Sequence, residues 1–107
     1  MPTFIFKMIS RIDIYKLFEL KNLVRSEFSE FAVDIRKYAG NLDLDKVMKE
    51  IIHICETEDY FAGSHMFCTR ENVIPRYKKD KSLVLDADHI EGLCKLLLIH
   101  KKIIKDY

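Results

Sequence analysis

The feature that most constrains this chain is the scarcity of residues that interrupt regular structure. It contains three glycines and two prolines in 107 residues. An all-β barrel or sandwich needs a turn about every 8–12 residues, so this frequency excludes that class. Apolar residues make up 49% of the chain, which also excludes an intrinsically disordered segment. Because one domain takes up about 100–150 residues, we expect residues 1–107 to form a single helical domain.

Charge and cysteine usage narrow the classes of function. Lysine and arginine number 18 against 17 aspartate and glutamate residues, so the net charge is +1. A general nucleic-acid binder would carry a basic excess. The three cysteines lack CxxC spacing, which is typical of reduced thiols in a cytosolic protein. No stretch approaches the ~20 apolar residues of a membrane-spanning helix. We expect a cytoplasmic protein without metal or cofactor that contacts neither nucleic acid nor membrane directly.

Apolar spacing and capping patterns predict four helices. The first begins at Ser10, which forms a capping-box pattern with Asp13. The second is predicted over residues 26–39, where apolar side chains recur at i, i+3, i+4 and i+7, and it is expected to stop at Gly40.

The last two predicted helices begin at acidic caps. Asn41 or Asp43 caps the third, and the fourth begins near Asp86 with lysines towards its C-terminus, the order that the helix dipole favours. The apolar run at residues 96–99 predicts that the fourth is a central core helix or is covered by a partner. The expected core residues are Ile14, Leu17, Phe18, Phe28, Phe31, Ile35, Val47, Met48, Ile51, Cys55, Ile90, Leu93 and Leu97.

Residues 60–85 show no helical period. They are expected to form a long loop, or a small hairpin that pairs residues 72–77 with 82–85 and keeps Pro75 at an edge. The predicted fold is therefore all-α, an antiparallel four-helix bundle with a long loop or small β-hairpin before the last helix. The basic side chains of this region are expected to form a solvated tip; they are Arg76, Lys78, Lys79 and Lys81.

Motifs for catalysis are missing from the sequence. It contains no Walker loop, GxGxxG, HExxH or GxSxG. Cys68 could meet His65 or His89 in space, but no glycine loop of the oxyanion-hole type stands beside a candidate nucleophile. The sequence therefore predicts that the protein is not an enzyme.

Two acidic groups are the candidate partner-binding residues. One ends the third predicted helix and runs into two aromatic residues, and the other opens the last helix. Acids at a helix C-terminus are unfavourable by about 0.3–1 kcal/mol each, which suggests a role beyond helix stability. The alternative is that the helix ends at Cys55 and the acids lie in a solvated loop. The candidates are Glu56, Glu58, Asp59, Tyr60, Phe61, Asp86 and Asp88.

The start of the chain carries a family resemblance. The segment Ile12-Asp13-Ile14-Tyr15-Lys16-Leu17-Phe18 is followed, after eight residues, by Glu27-Phe28-Ser29-Glu30. An Asp-x-x-Lys-Leu-Phe helix with Glu-Phe-Ser-Glu at this distance resembles the opening of colicin D-type immunity proteins. The acidic start of the last helix is similar to that family more loosely. These are small helical proteins with which a toxin-producing bacterium neutralises its own nuclease.

The resemblance implies an immunity protein that binds a cognate nuclease toxin, a tRNase or other RNase, and covers its active cleft with an acidic face. An immunity protein of contact-dependent inhibition would look the same. Two features depart from the family: the long segment 60–85, and a net charge of +1 where such proteins are typically acidic. The alternative function is a small helical adaptor or regulator that forms a homodimer through its last helix.

Overall fold

Helices make up most of the chain. The structure, a computed structural model, describes residues 9–58 and 63–105. Its helices are α1 (Arg11–Phe28), α2 (Leu44–Thr57), α3 (His65–Cys68), α4 (Ile74–Asp80) and α5 (Ala87–His100). Its strands are β1 (Val33–Asp34) and β2 (Val84–Leu85), which pair antiparallel. The predicted all-α fold class is confirmed, and a small two-stranded antiparallel sheet accompanies the helices.

The beginning of α1 follows the predicted capping box. The Ser10 hydroxyl accepts a hydrogen bond from the Asp13 amide at 3.2 Å, and the Asp13 carboxylate accepts one from the Ser10 amide at 3.1 Å. Two backbone donors that have no partner within the helix are therefore satisfied. One face of α1 is buried, at Ile14, Leu17, Leu20 and Val24.

The predicted second helix over residues 26–39 is wrong. The first helix continues to Phe28 and ends where Ser29 takes φ +55° and donates its amide to the Arg25 carbonyl. The chain then extends into β1, because Val33 and Asp34 pair with β2 in the register Val33↔Leu85. A 3₁₀ turn, Ile35–Lys37, follows the strand.

Phe31 is correspondingly 70% exposed and is not part of the core. Gly40 does adopt a left-handed φ of +61°, in the turn before α2 rather than at a helix end.

The third and fourth predicted helices correspond to α2 and α5. The Asp43 carboxylate caps α2 by accepting from the Lys46 amide, and the Asp86 carboxylate caps α5 by accepting from the His89 amide. The buried stripe of α2 matches the prediction and comprises Leu44, Val47, Met48, Ile51, Ile54 and Cys55.

The prediction that residues 60–85 lack helix is wrong, as is the hairpin between 72–77 and 82–85. A π-helical turn, Thr69–Val73, joins α3 to α4 in one continuous helical segment. Pro75 is the second residue of α4, which directly follows the π-helical turn. The basic side chains of this region therefore lie on or just after α4 and not on a hairpin tip.

The core is built around α5, which packs against α1, α2 and α3. Eight of its residues are buried, so it is the central core helix that its apolar run predicted. Of the thirteen predicted core residues ten are buried, Phe18 and Phe28 are partly buried, and only Phe31 is exposed.

Candidate functional site

The first predicted acidic group lies at the end of α2. Glu56 is exposed, and its carboxylate is 3.2 Å from the Lys78 ammonium on α4. Glu58 is the C-terminal cap residue of α2 and is half-buried. Asp59, Tyr60 and Phe61 lie outside the described residues. Because α2 continues to Thr57, the alternative that the helix ends at Cys55 is wrong.

An arginine that the sequence did not single out stabilises this helix end. The Arg70 guanidinium donates to the Cys55 carbonyl at 2.8 Å and to the Glu58 carbonyl at 3.1 Å. These carbonyls belong to the last turn of α2, where a cation complements the helix dipole. A cation in this place offsets the unfavourable position of the neighbouring acids.

The second predicted acidic group forms the first turn of α5. Asp86 is half-buried, and its carboxylate also lies 2.8 Å from His89 Nδ1. The Asp88 side chain is 82% exposed and accepts from the Arg25 guanidinium at 2.9 Å. Arg25 also lies 3.4 Å from Glu91, so one guanidinium serves two carboxylates.

A cavity of about 350 Å³ lies between α3 and this first turn of α5. The residues that line it from the α3 side are Ser64, His65, Cys68 and Thr69. Those that line it from the α5 side are Asp86, Asp88, His89, Glu91 and Gly92. We call it the α3–α5 cavity. Three of its lining side chains are carboxylates, and none of the nine is a lysine or arginine.

Gly92 shapes the wall of the α3–α5 cavity. A Cβ atom at this position would lie 3.1 Å from Nδ1 of His65, which is closer than most real Cβ contacts. The absence of a side chain on Gly92 therefore lets the His65 ring lie against the backbone of α5. This explains a glycine inside a helix, where it costs about 0.5–1 kcal/mol relative to alanine.

A second cavity, of about 320 Å³, lies on the other side of the same turn. Ser29 and Glu30, which follow α1, line it together with Arg25 and residues 86–88. Asp86 and Asp88 line both cavities, so these carboxylates lie between the two.

The helical segment 64–70 contacts the elements that carry both acidic groups. Arg70 bonds to the end of α2, and His65 lies against Gly92 of α5. Both groups therefore border the same segment of the fold. The structure gives no such description for Asp59, Tyr60 and Phe61.

The thiols and imidazoles do not form a metal-binding cluster within residues 9–58 and 63–105. No group of three or more His, Cys, Asp or Glu side chains there has the geometry to hold a metal ion. Burial raises the pKa of the Cys55 thiol, and it raises that of Cys94 to about 12. Cys68 is half-buried and lines the α3–α5 cavity.

Comparison with known proteins identifies no relative: no family model, curated protein or solved structure matches the chain. None of the described helices is long and apolar enough to cross a bilayer.

Proposed function

We propose that this protein is an immunity protein that binds a nuclease toxin domain and blocks its active cleft. The observation that carries the proposal is the position of the Asp86 and Asp88 carboxylates, which lie between two open cavities at the start of α5. The Asp-x-x-Lys-Leu-Phe pattern of α1 and its likeness to colicin D-type immunity proteins support the same function.

Charge complementarity is the physical basis of the proposal. A toxin that cuts RNA needs a positive cleft for phosphate, and exposed carboxylates complement such a cleft and steer association. Steering depends on local charge, so a net charge of +1 is compatible with it. In the proposal, Glu56, Glu58 and the adjoining acidic-aromatic residues extend the surface from the end of α2.

Co-expression with the nuclease toxin encoded beside this gene tests the proposal. Cells that produce both proteins should survive, and the two chains should co-purify in equal amounts. Asp88→Lys should weaken the complex about tenfold, mainly by slowing association, because exposed charges act chiefly on the association rate. Lys79→Glu, an exposed charge reversal on α4, is the matched control and should change little.

Death of cells that produce both proteins, or the absence of a complex, would contradict the proposal. If Lys79→Glu were the damaging change and Asp88→Lys harmless, the partner would be acidic, and the idea of a blocked RNA cleft would be wrong.

The second candidate is a helical adaptor that acts as a homodimer. The last helix is buried within the fold, so it leaves no large face for this purpose. A different surface favours the candidate: an apolar groove of about 180 Å³ between α1 and the chain after α5. Tyr15 lines this groove and is 68% exposed. Sedimentation equilibrium of wild type and Tyr15→Ser distinguishes the functions, since an adaptor dimer should dissociate in the variant and an immunity protein should be monomeric in both.

A further inference from the structure

The apolar groove between α1 and the chain after α5, here called the α1–α5 groove, is shaped by the end of α5. The Lys102 amide donates to the Ile99 carbonyl at 2.9 Å. The Ile103 amide donates to the Leu98 carbonyl, also at 2.9 Å. These two bonds define a Schellman motif, which turns the chain back across the last turn of the helix. Ile103 and Ile104 thereby line the groove opposite α1.

The size of the α1–α5 groove suits a single large side chain. Its volume is about 180 Å³, and Tyr15 and Ile104 leave it open to solvent with exposed fractions of 68% and 40%. Small-molecule sites are larger, at about 300–1,000 Å³, whereas a cavity of about 150 Å³ holds benzene. A concave site of this size fits an apolar side chain that projects from another protein better than it fits a flat lipid surface.

Three basic side chains border the α1–α5 groove. Arg11 is the one charged residue among its lining residues, all of which the structure describes. Lys102 and Lys105 flank the two isoleucines in the sequence and are exposed. None of these three side chains forms a hydrogen bond or an ion pair with a residue that the structure describes. Of the nearby carboxylates on α1, Asp13 is bonded within its capping box and Glu19 lines a different cavity.

Two of these basic residues occupy positions where helix stability favours another residue type. Arg11 is the first residue of α1, at the positive end of the helix dipole, where acids are stabilising. Lys102 follows the cap of α5 with φ +60°, a left-handed conformation that glycine adopts without steric cost. A residue with a side chain pays roughly 1–2 kcal/mol there. Helix stability therefore does not account for either charge.

We propose that the α1–α5 groove binds an acidic amphipathic helix of a second protein partner. An apolar side chain of that helix fills the groove, and carboxylates beside it meet Arg11, Lys102 and Lys105. Helices bind such grooves through regularly spaced apolar anchors, and complementary charge fixes their orientation. The groove lies at the end of α5 and the Asp86 and Asp88 carboxylates at its start, about 20 Å away along the helix. Both surfaces can be occupied at once, and this inference does not rest on the proposed function.

A peptide titration of the full chain tests the site. The probe is a fluorescein-labelled amphipathic peptide with leucines on one helical face and glutamates on the other, and its fluorescence polarisation is measured. We expect saturable binding that weakens as the salt concentration rises, because salt screens exposed charges. The matched control peptide carries lysines in place of the glutamates and should not reach saturation. Absence of binding by the acidic peptide, or comparable binding of both peptides, would overturn the inference.

Variants at the groove sharpen the test. Lys102→Gly removes the charge and supplies the residue that the backbone favours, so it should preserve the midpoint of thermal unfolding and still weaken acidic-peptide binding about tenfold. Tyr15→Ser removes part of the apolar wall and should weaken binding as well. Phe31→Ser replaces an aromatic residue that is 70% exposed away from the groove and should have no effect, as should Lys79→Glu. A folded Lys102→Gly protein that binds the peptide as tightly as wild type would contradict the proposal.

Two further measurements distinguish the occupant from a second copy and from lipid. We expect wild type to be monomeric in sedimentation equilibrium and not to float with phosphatidylglycerol vesicles. A dimer that Tyr15→Ser dissociates would assign the groove to a second copy of this chain. Vesicle binding that Tyr15→Ser abolishes would assign it to an anionic lipid surface. Either result would overturn the inference of an acidic protein helix.

Discussion

At the scale of single residues, a small polar network ties α4 to α2 and to the 3₁₀ turn. The Tyr77 hydroxyl donates to the Asp45 carboxylate at 2.6 Å, and the Arg36 guanidinium donates to the same carboxylate at 2.9 Å. The hydrogen bond from Arg36, followed by that from Tyr77, holds the pKa of Asp45 below its usual range. Sequence patterns indicated none of these contacts, because they join residues that are far apart along the chain.

Tyr77→Phe should destabilise the protein by about 1.5–3 kcal/mol, since it removes a hydrogen bond to a charged group without changing the ring. Burial, and then the bond to Asp45, raises the pKa of Tyr77 to about 12. Because the folded-state pKa lies above the usual value of about 10, the contribution of the Tyr77 hydroxyl to the free energy of unfolding is complete below pH ~10. It is lost as the pH rises through about 12. The free energy of unfolding, measured with urea across this pH range, should fall less steeply with rising pH in the variant than in wild type. Parallel declines for the variant and wild type would contradict this account of the network.

The three thiols should differ in reactivity. Cys94 and Cys55 are buried and have raised pKa values, so few of their thiols are ionised at neutral pH. Cys68 is half-buried and borders a cavity. Native protein treated with a chromogenic disulfide reagent should release one equivalent quickly, and Cys68→Ala should abolish that fast phase. Rapid reaction of a second thiol would show that the core around α5 opens readily.

At the scale of elements, helices with strong caps were predictable and irregular segments were not. Asp43 and Asp86 indicated the starts of α2 and α5 because a capping carboxylate acts locally. The helical period over residues 26–39 was misleading because strand pairing outweighs local propensity at Val33 and Asp34. The segment 64–80 did carry a usable pattern of buried residues, Met66, Val73, Ile74 and Tyr77, but Pro75 and polar Thr69 concealed it.

The candidate site was predictable only in part, for the same reason. Asp86 and Asp88 could be identified because acids at the start of a helix are visible in sequence. The cavity beside them depends on Gly92, His65 and Thr69, whose relevance arises from packing between separate helices.

Arg70 should stabilise the end of α2 in particular. Arg70→Ala removes its bonds to the Cys55 and Glu58 carbonyls and should destabilise the protein by about 0.5–1.5 kcal/mol. Hydrogen exchange should become faster at amides 54–58 and remain unchanged within α5. Equal acceleration in both helices would indicate a global rather than a local role for this arginine.

At the scale of the whole molecule, one buried carboxylate connects both described ends of the chain. Glu50 on α2 is 0% exposed and accepts from the Ile9 amide at 2.6 Å. Its other oxygen lies 3.3 Å from the Lys101 ammonium, in an ion pair without hydrogen-bond geometry. The segment before α1 and the residue after α5 are thereby fixed to the same helix.

Removing one member of this pair should be more damaging than removing both charges. Lys101→Met leaves the Glu50 carboxylate buried without its cation and should lower the free energy of unfolding by up to about 3–5 kcal/mol. The partial exposure of the lysine side chain reduces this loss. Glu50→Gln in the same chain should recover part of this loss. A double-mutant cycle by urea unfolding measures the coupling, and strictly additive losses would show that the two charges do not interact.

The central claim is that this protein blocks a nuclease toxin with the acidic surface around the first turn of α5. The most direct test is to titrate the purified protein into the toxin domain encoded beside its gene and to measure RNA cleavage. We predict that cleavage falls linearly to zero at one equivalent of wild type or of Lys79→Glu. With Asp88→Lys the titration should curve and leave residual cleavage at one equivalent, because the complex is about tenfold weaker. Undiminished cleavage at an excess of wild-type protein would contradict the claim.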